Sequence, residues 1–79
     1  MTLSLAEEVR IAQRLPAPAE ARAIRIAAHV SISRLSEELG VSRKTITRWE
    51  SGTRNPSGAH RVAYAKTILA LADAISTVE

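Results

Sequence analysis

With 79 residues, no cysteine, two histidines and a net charge of +3, the chain has room for one small domain without covalent staples. Disulfides and thiolate zinc sites are excluded, and His29 and His60 lie far apart in sequence with no third ligand to suggest a metal site. The aromatics are Trp49 and Tyr64 alone, so the core must be Ala, Leu, Ile and Val, an inventory that favours packed helices over a sheet.

At the N-terminus, "MTLSLAEEVR" places Glu7 and Glu8 where a signal peptide needs an apolar run. Ser4 followed by Glu7 instead makes a capping box, and Leu5, Val9 and Ala12 recur on one face of a short helix over 5–14. "PAP" at 16–18 ends it. A second helix is predicted from Pro18, tolerated in the first turn, to His29, which closes it as a packed or capping residue. Ser31 caps a third helix, "ISRLSEEL", whose Ile32, Leu35 and Leu39 share a face. Gly40 ends that helix in the left-handed conformation. Ser42 caps a fourth helix over 43–51, and "SGTRNPSG" reads as a loop.

The final helix, over 57–77, carries two apolar stripes: Val62, Ala65, Leu69 and Ala72, and Tyr64, Ile68, Leu71, Ile75 and Val78. One core does not need so wide a surface. The second stripe therefore packs on the N-terminal helix or forms a homodimer face; a monomer is equally compatible with the residues. Lys66 and Asp73 interrupt this apolar stretch well short of a membrane span. The chain reads as soluble and intracellular, with no membrane partner.

Charge is unevenly distributed. Residues 41–66 hold Arg43, Lys44, Arg48, Arg54, Arg61 and Lys66 against Glu50 alone, a concentration expected where one face meets a polyanion. On a helical wheel, Arg43, Thr47, Ser51, Lys44 and Arg48 span an arc of about 140°, opposite Ile46 and Trp49. Val41, Ile46 and Trp49 can pack against Leu35 and Leu39, which turns the polar arc outward. The pair "SISRLSEELG-VS-RKTITRWE" is thus a helix, a tight turn and a second helix.

These residues resemble the Cro/CI-type (XRE-like) helix-turn-helix family of bacterial and phage DNA-binding regulators. The resemblance covers residues 22–57. Its landmarks are Leu35, a small residue at 36, Leu39, "GVS" at 40–42, Ile46, "RWE" at 48–50, Gly52 and Pro56. It implies an all-α bundle of about five helices, with 31–51 as the helix-turn-helix of a single domain. It also implies a recognition helix from Arg43 that enters the major groove of double-stranded DNA.

Arg43, Lys44, Thr47 and Arg48 then take base-reading positions, where Arg and Lys donate to guanine and Thr meets a thymine methyl or a base edge. Arg48 suits a phosphate contact as well. Ser31, Ser33, Ser42, Ser51, Thr53, Arg54 and Asn55 are placed for phosphates, with Ser31 and Ser42 also fitted to pure capping. Arg25 matches an arginine that pairs with the glutamate at Glu50, and a guanidinium fork suits that carboxylate.

There are three departures. The helix at 5–14 lies upstream of the matched region, as an accessory that completes the core or serves as a partner surface. Ile32 stands where the family often has glutamine, so packing replaces a hydrogen bond there. Ser36 replaces alanine, and its hydroxyl needs a backbone acceptor.

No phosphate-binding glycine loop, ligand cluster or nucleophile elbow is present, so neither catalysis nor a cofactor is expected. His60 reads as exposed or touching DNA. The expected function is a sequence-specific transcriptional regulator, a small repressor of the bacterial cytoplasm, nucleoid-associated when bound. Rival readings are a recombination-directing or architectural DNA-binding factor, and an antitoxin or antirepressor module that captures a protein.

Overall fold

The computed structural model describes residues 2–76. Among the described residues the chain forms five helices and no strand: α1 (Leu5–Gln13), α2 (Pro18–Ala27), α3 (Ile32–Leu39), α4 (Arg43–Ser51) and α5 (Gly58–Ser76). The all-α architecture inferred from composition and patterning holds. Val78, assigned to the second stripe of the last helix, lies outside the described residues.

Serine hydroxyls set three of the helix starts. Ser4 Oγ accepts from the Glu7 N–H at 3.2 Å, and the Glu7 carboxylate accepts from the Ser4 N–H at 2.9 Å, completing the capping box. That reciprocal pairing, chiefly the backbone N–H of Ser4, holds the Glu7 carboxyl below its ordinary range. Ser31 Oγ accepts from the Arg34 N–H at 3.0 Å, and Ser42 Oγ from the Thr45 N–H at 3.1 Å. Each satisfies a donor that the first helical turn leaves without an intrahelical acceptor.

Three helix ends share another device. After α3 and α4 the chain turns through left-handed Gly40 (φ 68°) and Gly52 (φ 77°). The next N–H then reaches back to a carbonyl in the last turn: Val41 to Ser36 at 3.1 Å and Thr53 to Arg48 at 3.0 Å. The end of α2 has the same hydrogen bonds, His29 N–H to Ile26 and Val30 N–H to Arg25, but the left-handed residue is His29 (φ 59°). The helix predicted to run through His29 therefore stops at Ala27, and His29 is exposed in the turn beyond it. It closes the helix with its backbone and not by side-chain packing.

Tyr64 and Ile68 of α5 reach into a core with Ala21 of α2, Leu35 of α3, and Ile46 and Trp49 of α4. Leu15, Ile24, Val30, Ile32, Leu39, Val41 and Leu71 pack around it. Tyr64, Ile68 and Leu71 of the second stripe thus belong to the main core, whereas that stripe was expected on the N-terminal helix or a second copy. α1 does pack on α5, but of the expected face Leu5, Val9 and Ala12 only Ala12 is partly covered. Leu5 is 77% exposed and Val9 47% exposed, while Glu8, Ile11, Ala12 and Leu15 are partly covered. Leu15 packs against the main core from just beyond α1, on the same side as the partly covered Glu8, Ile11 and Ala12, and leaves Leu5 outside.

Candidate nucleic-acid interface

The turn at 40–42 joins α3 to α4, and the two helices pack directly on each other. Leu35 and Ile46 at that junction are fully buried, and Leu39 and Val41 pack alongside. Burying one side of α4 this way leaves Arg43, Lys44, Thr47 and Arg48 exposed together on the other. The Thr47 hydroxyl donates to the Arg43 carbonyl at 3.1 Å, which spends its proton and leaves the exposed oxygen as an acceptor.

The angle of α4 is also fixed from behind. Arg25 Nε donates to one Glu50 carboxylate oxygen at 2.5 Å and Arg25 Nη2 to the other at 3.0 Å. Both residues are buried. The guanidinium donates a third bond to the Val30 carbonyl at 2.9 Å, which ties the α2–α3 turn to the same pair. The Glu50 hydrogen bonds raise the Arg25 pKa against the opposing effect of burial, so the guanidinium stays charged. The Arg25–Glu50 pair was legible in the sequence; the Val30 carbonyl was not, because a backbone acceptor carries no residue signature.

Beyond α4, four donors converge on the Arg48 carbonyl: the Gly52 N–H, Ser51 Oγ at 3.1 Å, Thr53 N–H at 3.0 Å and Arg54 N–H at 3.3 Å. Ser51 Oγ and Thr53 Oγ1 also share a hydrogen bond of 2.7 Å. The start of the loop carrying Arg54 and Asn55 is therefore fastened to α4. A family model described as helix-turn-helix matches residues 22–68, more than half of the chain. The chain belongs to the helix-turn-helix family. No curated protein and no solved structure matches.

Family membership supports a DNA-binding, regulatory role in general terms. Within this helix-turn-helix protein, the residues read as phosphate contacts, Ser31, Ser33, Ser42, Ser51, Thr53, Arg54 and Asn55, are all exposed. Their hydroxyls are not all free: Ser31 and Ser42 cap helices, and Ser42 Oγ also bonds Thr45 Oγ1 at 2.9 Å. Ile32 packs at the edge of the core, and the Ser36 hydroxyl donates to the Ser33 carbonyl at 2.7 Å, the acceptor its burial requires.

His60 is exposed, yet its ring lies 6.3 Å from that of Trp49. This neighbour was invisible in sequence, since the loop between them hides the proximity. Among the described residues no cluster of side chains could hold a metal ion, and no helix is long and apolar enough to cross a membrane.

Proposed function

We propose that this protein is a sequence-specific double-stranded DNA-binding repressor of the Cro/CI kind, acting in the bacterial cytoplasm on the nucleoid. The observation that carries the reading is the side of α4 bearing Arg43, Lys44, Thr47 and Arg48, exposed as a group. The opposite side of the same helix is held by the core and by Arg25. An α-helix fits the major groove, and Arg or Lys at its surface can donate to guanine O6 and N7. Ser31 and Ser33 at the start of α3, and Ser51, Thr53, Arg54 and Asn55 beyond α4, would hold the flanking phosphates and so set its register.

Repression by occlusion is the simplest output of such a module. A bound domain denies the duplex to polymerase without any second activity. Oligomeric state sets the form of the site: a two-fold dimer through α5 calls for half-sites about one helical turn apart, and a monomer for one short asymmetric site.

Selection of binding sites from random duplexes tests the reading. A single enriched motif, palindromic or not, is the expected result. Enrichment of no motif, with weak binding to every duplex, would replace sequence-specific repression with an architectural role.

A further inference from the structure

Beside α4 lies a cleft of about 370 Å³ that gathers three of the residues read as phosphate contacts, Ser42, Arg54 and Asn55, with Thr45, Ser57 and His60, to which no phosphate role was given. Its polar lining is Ser42, Thr45, Arg54, Asn55, Ser57 and His60, with the Trp49 ring in its apolar wall. Hydroxyls, an amide, a guanidinium and an imidazole meet here, and no Asp or Glu lines the space. One of the Ser42 and Thr45 hydroxyl protons is spent between those two side chains, but the guanidinium, the amide and the Ser57 hydroxyl still offer an anion donors with no carboxylate to repel it. The volume exceeds that of one water, about 30 Å³, several times over, which leaves room for a phosphodiester group and its hydration.

Position matters as much as composition. At about 100° per residue, Thr45 lies roughly 60° from Arg48 around α4, so the cleft opens along the border of the exposed cationic face. A duplex whose base edges lie under that face runs its sugar–phosphate backbone along this border.

We propose that the cleft is a phosphate subsite, filled by a backbone phosphate of bound DNA, and that His60 closes it as a proton-dependent ligand. The inference rests on the DNA-binding reading above and adds to it a residue and a linkage. The charged groups around His60 are few. Arg54 shares the cleft from the loop. Arg61, the next residue of α5, lines a separate hollow with Leu15 and Pro16. α4 presents the neutral Trp49 and Thr45, and its one carboxylate, Glu50, is bound to Arg25. An imidazolium in this setting gains an anionic partner only when the cleft is occupied, so proton uptake and phosphate binding are coupled. Histidine is the side chain that ordinarily changes charge between about pH 5 and 8.

The test compares the intact protein with His60→Gln. Fluorescence anisotropy on one labelled duplex at about pH 6 and about pH 8 is expected to show roughly three- to tenfold tighter binding at the lower pH. His60→Gln is expected to bind with nearly equal affinity at both. His29→Gly, altered at the other histidine, is expected to keep the dependence. Matching melting temperatures for the intact protein and His60→Gln would show that the change is not one of folding.

Trp49 is the single tryptophan of the chain, so its emission reports on the cleft directly. Inorganic phosphate, titrated against sodium chloride of equal ionic strength, separates a free-phosphate source from the DNA backbone. Retention of the full pH dependence in His60→Gln would overturn the proposal. Failure of the intact protein to bind any duplex at low salt would sink the DNA reading instead. In that event a His60-dependent phosphate response of Trp49 sustains the cleft as an anion site, and its absence ends it.

Discussion

The two sides of α4 hold the same backbone to opposite purposes. On one side Ile46 is 0% exposed, Trp49 4% and Glu50 7%; on the other Arg43, Lys44, Thr47 and Arg48 face solvent. The buried side consumes its polar capacity internally, through Arg25 and Glu50. The exposed side bonds only locally and keeps its cations available. Substitutions on the first side should therefore move stability, and those on the second should move binding. The largest expected effect belongs to the buried side. Glu50→Ala strands the Arg25 guanidinium without its carboxylate, which costs about 3–5 kcal/mol. Urea unfolding measures this directly. A loss below about 1 kcal/mol would mean the pair behaves as a solvated surface contact, and α4 would then owe its angle to packing alone.

Tyr64 tests whether the buried side can be perturbed without touching the pair. Its ring packs on Trp49 with centroids 4.9 Å apart. Its hydroxyl is buried with no hydrogen-bond partner among the described residues. Burial first, and the Glu50 carboxylate second, push the phenol up to about 12 against the opposing charge of Arg25. An unfolded tyrosine titrates near about 10. Between those values the folded state keeps a proton that the unfolded state has lost, so this contribution is whole below about pH 10 and disappears as pH rises toward about 12. The loss is of order 2 kcal/mol. Tyr64→Phe should lack this alkaline decline when denaturant midpoints at about pH 9 and about pH 11.5 are compared with those of the intact protein. At neutral pH the substitution should be neutral or mildly stabilising, because it removes a polar group with no bond to lose.

On the exposed side, Arg43→Ala should leave the melting temperature unchanged and cost about 1–3 kcal/mol at the selected DNA site, with relaxed discrimination at one base pair. Equal weakening on all duplexes would move Arg43 to a phosphate. A lower melting temperature would break the division between the two sides.

Much of this arrangement was legible because its signals are local. Ser4 and Glu7, Ser31, Ser42, Gly40 and Gly52 mark helix ends by residue type and offset, and the alternation of Ile46 and Trp49 with Arg43, Thr47 and Arg48 fixes which side of α4 is buried. What escaped depends on contacts between distant segments. Leu5 and Val9 looked like the packing face of α1, but Leu15 of the following linker packs against the core instead, and periodicity within α1 could not weigh that anchor. Tyr64, Ile68 and Leu71 were assigned to the wrong neighbour because α5 touches α1, α2 and α3 and, through Tyr64 on Trp49, α4 as well, and a helical wheel does not say which partner takes which side. The cleft beside α4 joins residues on both sides of the loop before α5, so no motif spans it.

The end of α2 escaped for a different reason, and it yields the smallest and cleanest expected effect. Gly40 and Gly52 announce a left-handed turn by their identity; His29 makes the same turn without announcing it, since a residue with a Cβ reaches this conformation at a cost of roughly 1 kcal/mol. Val30 gives the conformation its reason. Its N–H bonds the Arg25 carbonyl and its carbonyl accepts from the Arg25 guanidinium, so the turn is clamped at both ends by the residue that holds Glu50. His29→Gly should relieve the strain, though glycine also gains freedom in the unfolded chain, leaving a net stabilisation of about 0.5–1 kcal/mol in urea unfolding. The same replacement at an exposed helix-interior position, such as Ala23 of α2, should destabilise by a similar amount. A destabilised His29→Gly would show that the imidazole itself supports the turn, and the likeness among the three helix ends would then extend to their backbones alone.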